Sequence, residues 1–250
     1  ENTSMKNLLY FALLSFCCTP TAHFEPRQIL IITGGHDFEH AAFFRMFDEF
    51  GDIIWKEKIH PLEQGVFSAG EQPFEVVLFY DMPDSISAAV QEELTQLLQR
   101  GTGVVFLHHA LCANPGWPEY ERMVGGKYLP AAVERAGRML PASTYREDVE
   151  VKVEIADRRH PVTRGLGDFI LHDEVYGGFI TRPDIHPLLR TNHPESSPVI
   201  GWAHTYGRSR IVYLQPGHDH RAFEDPRFRR LLRNAIEWVS DTGSLDVNPG

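Results

Sequence analysis

Cysteine is scarce in this chain, with three residues in 250. Two of them, Cys17 and Cys18, lie in an apolar N-terminal segment, so the rest of the sequence carries Cys112 alone. A disulfide framework is therefore excluded, and the fold has to be stabilised by packing. With 42% hydrophobic and 23% charged residues, the composition is that of one globular domain with a sizeable core.

Basic residues are also fewer than acidic ones. Asp and Glu outnumber Lys and Arg by 34 to 24, which gives a formal net charge of −10. Nucleic-acid binding needs a basic surface that neutralises phosphates, and the sequence shows no basic stripe. We therefore expect no nucleic-acid partner.

No apolar run is long enough to span a bilayer as a helix. Residues 8–16 follow Met5 and Lys6 and have the length of a signal-peptide core. We therefore predict a cloning remnant and a signal segment within residues 1–26, and no transmembrane span in the mature domain. The protein would be exported to a bacterial periplasm or anchored as a lipoprotein through Cys17 or Cys18, if this segment acts as a bacterial export signal. A disordered N-terminal tail is the alternative.

Short apolar runs alternate with helical patterns over residues 27–240, which we predict to be a single α/β domain. Strands are predicted at residues 28–33, 53–59, 75–80, 103–107, 149–155, 185–190, 199–203 and 210–215. Helices are predicted after Gly35, from an N-cap at Ser85, and from Asp225 and Pro226. Residues 114–140 are predicted to be loop, and residues 241–250 a flexible tail. The alternation predicts a doubly wound, mostly parallel sheet flanked by helices, flavodoxin-like, with additional edge strands.

The chain has 13 histidines, and many of them follow predicted strands. Ligands bind at the carboxyl ends of strands in such a sheet, so these residues are expected to share one cleft. Neutral and protonated imidazoles interconvert near neutral pH, which suits acid–base chemistry. The strand-end candidates are His36, His40, Asp81, His108, His109, His218 and Asp219.

Other residue groups add candidates for substrate or metal binding. A second acidic and aromatic group comprises Asp173, Glu174 and Tyr176, and Trp117 and His204 offer a flat surface and a donor for a sugar. His36 and His40 are spaced four apart at the predicted opening of a helix, so they could hold a divalent metal such as zinc. No other cofactor is predicted.

Cys112 is the remaining candidate nucleophile, four residues after His108. It does not lie at the sharp turn that would expose a nucleophile, and no Lys or Arg adjoins it in sequence. We therefore interpret Cys112 as a structural thiol.

Several segments together resemble the ThuA-like family, named for trehalose utilisation. They are ILIITGGHDFEH, GVVFLHHA, WPEYERMVGGKY, HPVTRGL, HDEVY and WAHTYGRSRIVYLQPGHDHRAFEDPRFRRLLRNAIEW. The resemblance spans nearly all of residues 27–239. It implies a fold related to class I glutamine amidotransferases, in agreement with the doubly wound sheet.

The resemblance also carries expectations about chemistry. Where amidotransferases have a cysteine, after the strand that matches GVVFL, this chain has His108 and His109, while His218 lies where their catalytic histidine lies. A glutamine amidotransferase is therefore not expected. The family's association with bacterial sugar catabolism implies work on a disaccharide or a 3-keto-glycoside.

The resulting hypothesis is a sugar-processing lyase, isomerase or hydrolase that uses histidine acid–base chemistry. His36, His109, His218 and Asp219 are predicted to be catalytic. The residues predicted to bind a small-molecule carbohydrate are His40, Asp81, His108, Trp117, Asp173, Glu174, Tyr176 and His204. A non-catalytic carbohydrate-binding module and a metal-dependent hydrolase built on His36 and His40 are the alternatives, and homo-oligomerisation stays open.

Overall fold

The computed structural model describes residues 26–68 and 74–241. The predicted signal segment and the tail beyond Asp241 lie outside these residues. In chain order the strands are β1 (Arg27–Gly34), β2 (Ile53–Ile59), β3 (Val76–Asp81), β4 (Gly103–Leu107), β5 (Gly126–Lys127), β6 (Val133–Arg135), β7 (Arg138–Leu140), β8 (Thr144–Ile155), β9 (Phe169–Gly177), β10 (Ile180–Thr181), β11 (His186–Arg190), β12 (Val199–Tyr206) and β13 (Ser209–Leu214).

The helices are α1 (His40–Asp48), α2 (Ala88–Arg100), α3 (Pro118–Val124), α4 (His220–Phe223) and α5 (Pro226–Ser240). Short 3₁₀ turns occupy His108–Cys112 and Pro161–Thr163. None of the helices in the described part of the chain combines the length and the apolarity needed to cross a bilayer.

One large sheet in the described residues has the strand order β2-β1-β3-β4-β13-β12-β11-β8-β9. The pairs from β2 to β13 are parallel, and those from β13 to β9 are antiparallel. The predicted fold class, a mostly parallel sheet flanked by helices with additional edge strands, is confirmed.

The central strands of the sheet are buried on both faces, which explains why they are continuously apolar. In β1, Ile29 and Ile31 pack into the core that α1 and α5 cover, whereas Leu30 and Ile32 pack into the core that α2 and α3 cover. A strand with water on one face would alternate polar and apolar residues instead.

The strand order brings the carboxyl ends of β1, β3, β4 and β13 to one edge of the sheet. Strand β9 reaches the same edge, because the Asp173 carboxylate accepts hydrogen bonds from the backbone N–H groups of Gly217 and His218 (2.8 and 3.0 Å). Residues from distant parts of the sequence therefore meet where the parallel strands end.

Two local predictions are wrong, and one strand was not predicted. The N-cap of α2 is Ser87, whose hydroxyl accepts from the Val90 backbone N–H, and not Ser85. Residues 114–140 contain α3 and the short strands β5, β6 and β7 rather than only loop. Residues 169–177 form β9, which was not predicted from the sequence. The last five residues of β9 are all buried, so the strand lacks a regular alternation of buried and exposed positions.

Gly103 at the start of β4 offers a test of the packing of α5 on the sheet. A Cβ at this position would overlap the backbone carbonyl of Val239 in the last turn of α5. We expect Gly103→Ala to lower the free energy of unfolding by about 1–3 kcal/mol, the usual cost of overpacking. Gly116→Ala is the control, because nothing lies within 4 Å of its added Cβ. Equal urea midpoints for the two variants would contradict this packing.

Candidate active site

His108 lies at the centre of the candidate site, directly after β4. Its backbone φ is 54°, in the left-handed region that residues other than glycine rarely adopt. Its side chain is almost fully buried, and Nδ1 lies 2.7 Å from the carbonyl oxygen of Gln215. Because a carbonyl only accepts, Nδ1 carries a proton, and Nε2 faces the other residues of the site.

Three side-chain atoms form a compact triangle, which we call the His108–Glu174–His218 cluster. Glu174 Oε2 lies 3.0 Å from His108 Nε2 and 3.3 Å from His218 Nδ1. The two imidazole nitrogens are themselves 3.2 Å apart. The Tyr176 hydroxyl also contacts His108 Nε2, at 3.0 Å. Strands β4, β9 and β13 or the turns after them supply all four residues.

Asp173 holds this arrangement together from behind. Its carboxylate accepts the backbone N–H groups of Gly217, His218 and Glu174, the last at 2.8 Å. Burial raises the pKa of Asp173, against the opposing effects of His108 and these hydrogen bonds. Asp173 therefore positions the site rather than lining it.

Glu174 is ionised in the cluster. Burial disfavours its charged form, but the hydrogen bonds with His108 and His218 outweigh burial and hold the pKa of Glu174 below its usual range. The same hydrogen bond to Glu174 raises the pKa of His218, while partial burial opposes the shift. The cluster is thus a carboxylate held between two imidazoles.

A cavity of about 380 Å³ adjoins the cluster, with Glu174 and Tyr176 in its wall. His109 lines it as well, and the buried Nε2 of His109 has no hydrogen-bond partner in the described residues. Burial lowers the pKa of His109 well below its usual value. The exposed ring of His36 stacks on that of His109, with centroids 4.9 Å apart. The remaining lining residues are Met82, Asp84, Cys112, Pro115, Tyr128, Pro130, Tyr145 and Glu147.

A second polar group lies at the ends of β1, β2 and β3. His60 Nε2 contacts Asp81 Oδ2 at 2.7 Å, and Glu57 contacts both Thr33 Oγ1 (2.5 Å) and His40 Nε2 (3.3 Å). The sequence analysis missed His60, although it directly follows β2 and the strand-end rule would have found it. Asp81, predicted to bind substrate, bonds to His60 through Oδ2 and does not line the 380 Å³ cavity.

His36 and His40, the two predicted metal ligands, do not lie on one helix. Helix α1 begins at His40, so His36 lies in the preceding turn and the two residues do not share a helical face. His40 contacts Glu57 while His36 stacks on His109. Among the described residues, the group of three potential ligands that gathers is His108, Glu174 and His218 instead.

Three further predicted site residues have structural roles. The Asp219 carboxylate caps α4 by accepting the Arg221 backbone N–H and pairs with the Arg221 guanidinium. His204 packs on the backbone of Gly125, where an added Cβ would lie 2.8 Å from His204 Nε2. Trp117 precedes α3 and lies with its ring 6.0 Å from that of Tyr120. None of the three lines the 380 Å³ cavity.

The comparisons with known proteins agree with the fold. A family model, ThuA, described as trehalose utilisation, matches residues 29–239. No curated protein matches the chain. A ThuA-like protein from Parabacteroides merdae ATCC 43184 is similar in structure, with a TM-score of 0.72 and 22% identity over 86% of this chain and 90% of that one.

Two other solved structures extend the comparison. A ThuA-like protein from Bacteroides uniformis ATCC 8492 has a TM-score of 0.65 and 22% identity, over 86% of this chain and 91% of that one. A β-galactosidase from Rahnella sp. R3 has a TM-score of 0.56 and 14% identity, over 86% of this chain but only 31% of the galactosidase. At these identities the likeness shows the fold alone.

Cys112 lines the cavity, and its reactivity is a direct test of the site's electrostatics. Burial, with the nearby charge of Glu174, raises the pKa of the Cys112 thiol to about 12. We expect the Cys112 peptide to remain unmodified when native protein is treated with iodoacetamide at pH 8, and to react fully in guanidinium. Peptide mapping by mass spectrometry separates Cys112 from Cys17 and Cys18. Rapid alkylation of native Cys112 would instead indicate an activated thiolate.

Proposed function

The chain belongs to the ThuA family, described as trehalose utilisation, and from this premise we propose that it is an enzyme acting on a disaccharide or its 3-keto derivative. The observation that carries the proposal is the meeting of His108, Glu174 and His218 beside a cavity that the imidazole of His109 also lines. The reaction class is that of a lyase, isomerase or hydrolase.

The volume and the lining of the cavity suit a small carbohydrate. Its volume of about 380 Å³ falls in the range of about 300–1,000 Å³ that small-molecule sites occupy. Tyr128, Tyr145 and Tyr176 offer aromatic surfaces to the apolar faces of sugar rings, and Asp84 and Glu147 offer acceptors for hydroxyl groups. Both kinds of contact are needed, because a sugar presents apolar C–H faces and a rim of hydroxyls.

The proposed chemistry begins at a carbon next to the sugar carbonyl. A carbonyl at C3 acidifies the hydrogen on C2, and a base that removes it leaves an electron pair that moves onto the carbonyl oxygen. We assign the base to His109, because its Nε2 is buried at the cavity wall without a partner. In the lyase form, the C3 carbonyl then re-forms, a C1=C2 double bond is made and the bond from C1 to the glycosidic oxygen breaks. The released oxygen takes up the proton that His109 had removed from C2.

The His108–Glu174–His218 cluster is assigned to the carbonyl oxygen. Burial lowers the pKa of His109, which makes its ring a weak base. Proton removal by a weak base requires strong stabilisation of the negative charge that develops on the oxygen. Glu174 is the cluster member in the cavity wall, and because it is itself anionic, the positive charge that faces the oxygen has to come from a protonated His218 or from a bound cation.

Loss of the base should abolish most turnover. We expect His109→Asn to lower kcat/KM for the reactive sugar by about 10²–10⁴, the usual contribution of a positioned acid or base. Trehalose, other glucosides and their 3-keto forms are incubated with protein, and products are followed by NMR. The control is His186→Gln on β11. It removes an exposed imidazole that pairs with Asp157, and it should leave kcat/KM within twofold.

The same experiment separates the proposal from its alternative. Turnover that survives His109→Asn unchanged would remove His109 from the mechanism. Binding of the sugars by the wild-type protein with no turnover would contradict an enzyme and favour a non-catalytic carbohydrate-binding module.

A further inference from the structure

We infer that the His108–Glu174–His218 cluster is a binding site for a divalent transition-metal ion such as Zn²⁺. The site is the one assigned above to the sugar oxygen. The binding of the ion follows from the geometry alone, whereas its role toward the substrate rests on the proposed function.

The spacing of the three atoms is that of ligands around one ion. Atoms about 2.0–2.2 Å from a common metal centre lie about 2.8–3.6 Å apart in tetrahedral or octahedral geometry. The three separations in the cluster are 3.0, 3.2 and 3.3 Å, one for each pair of residues. Hydrogen bonding would account for any single pair, whereas a closed triangle of three such contacts matches the arrangement of three ligands around one metal ion.

The positions of the hydrogens on the two imidazoles also favour a bound cation. The Nδ1–H group of His108 donates to the Gln215 carbonyl, so without a second proton on its ring His108 would turn a lone pair on Nε2 toward the Glu174 carboxylate. Protonating both histidines toward Glu174 would instead place two cationic rings 3.2 Å apart, one of them almost fully buried. A cation bound by all three atoms satisfies their lone pairs without either conflict, and the Tyr176 hydroxyl, 3.0 Å from Nε2, then donates to Glu174 instead.

The surroundings of the cluster resemble the outer shell of metal sites. A metal-bound histidine commonly donates its other ring N–H to a carbonyl, as His108 does to Gln215 at 2.7 Å. The Asp173 carboxylate accepts hydrogen bonds from the backbone N–H groups of Glu174 and His218, which fixes the positions of two of the three ligands. Ligand directions are therefore set before an ion arrives.

The ligand set leaves room for a reacting group. Two histidines and one carboxylate are a common set in catalytic zinc sites, where the remaining position takes water or substrate. Here Glu174 lies in the cavity wall, and about a quarter of the His218 side chain, which does not line the cavity, is exposed (24%), so the cluster is not sealed off. A metal there would polarise a sugar carbonyl as a Lewis acid, which supplies the charge stabilisation that the weak base His109 requires.

The test measures metal binding without any sugar. Full-length protein is treated with EDTA, dialysed, and titrated with Zn²⁺ by calorimetry and with Co²⁺ by visible absorption. We expect one metal site, and Glu174→Gln should lower its Zn²⁺ affinity by at least about 10–100-fold. Loss of a residue that only supports a ligand usually costs this much, and Glu174 would be a ligand itself. The Co²⁺ absorption band should disappear with it. His218→Gln, at a half-buried position, should act in the same direction, and His186→Gln should bind as the wild type does.

The comparison between variants decides the outcome, because Cys17, Cys18 and His23 could bind zinc independently. Circular dichroism and thermal melts of the metal-free proteins check that each variant folds. Equal Zn²⁺ affinity and equal Co²⁺ spectra in the wild type and both cluster variants, or no binding by the wild type, would overturn the inference. Metal binding without sugar turnover would contradict the proposed function and leave the metal site intact. Turnover by metal-free protein would overturn the metal's role.

Discussion

The buried carboxylate of Asp173 is the interaction on which the rest of the site depends. It accepts backbone N–H groups from Gly217, His218 and Glu174, and so joins the edge strand β9 to the turn after the central strand β13. Burying a carboxylate is costly unless its oxygens are satisfied, and three N–H donors satisfy them. Neither Glu174 nor His218 would be held against His108 without this anchor, because they come from strands at different places in the sheet.

The turn after β4 carries the central residue of the candidate site. His108 takes the left-handed conformation there, with φ of 54°, at the position where the sequence resemblance implies a cysteine in amidotransferases. Its ring points a nitrogen at Glu174 and His218, which suits charge stabilisation or metal binding rather than acyl transfer. Cys112 is four residues away, and burial raises its pKa to about 12, so it does not replace the missing nucleophile.

Much of the fold follows from the sequence, and part of the site does. The apolar runs identified the parallel strands, and the strand-end rule placed His108, His109 and His218 at one edge, because topology alone fixes where parallel strands end. The rule could not tell which side chains turn inward. Asp219 has the right position but caps α4, and His204 lies on β12 against Gly125. Glu174 was recognised by residue type, but its approach to His108 depends on the pairing of β8 with β9, which residue spacing does not encode.

The claim that the His108–Glu174–His218 cluster is the reaction centre is tested most directly by proton exchange in D₂O. A 3-keto-glycoside is incubated with enzyme, and NMR follows the loss of the proton next to the carbonyl. The account predicts exchange with the wild type and with His186→Gln, and loss of exchange with Glu174→Gln, because without this carboxylate the cluster holds neither a protonated His218 nor a bound cation beside the oxyanion. Exchange at an unchanged rate in Glu174→Gln, or product formation by the wild type without any exchange, would contradict it.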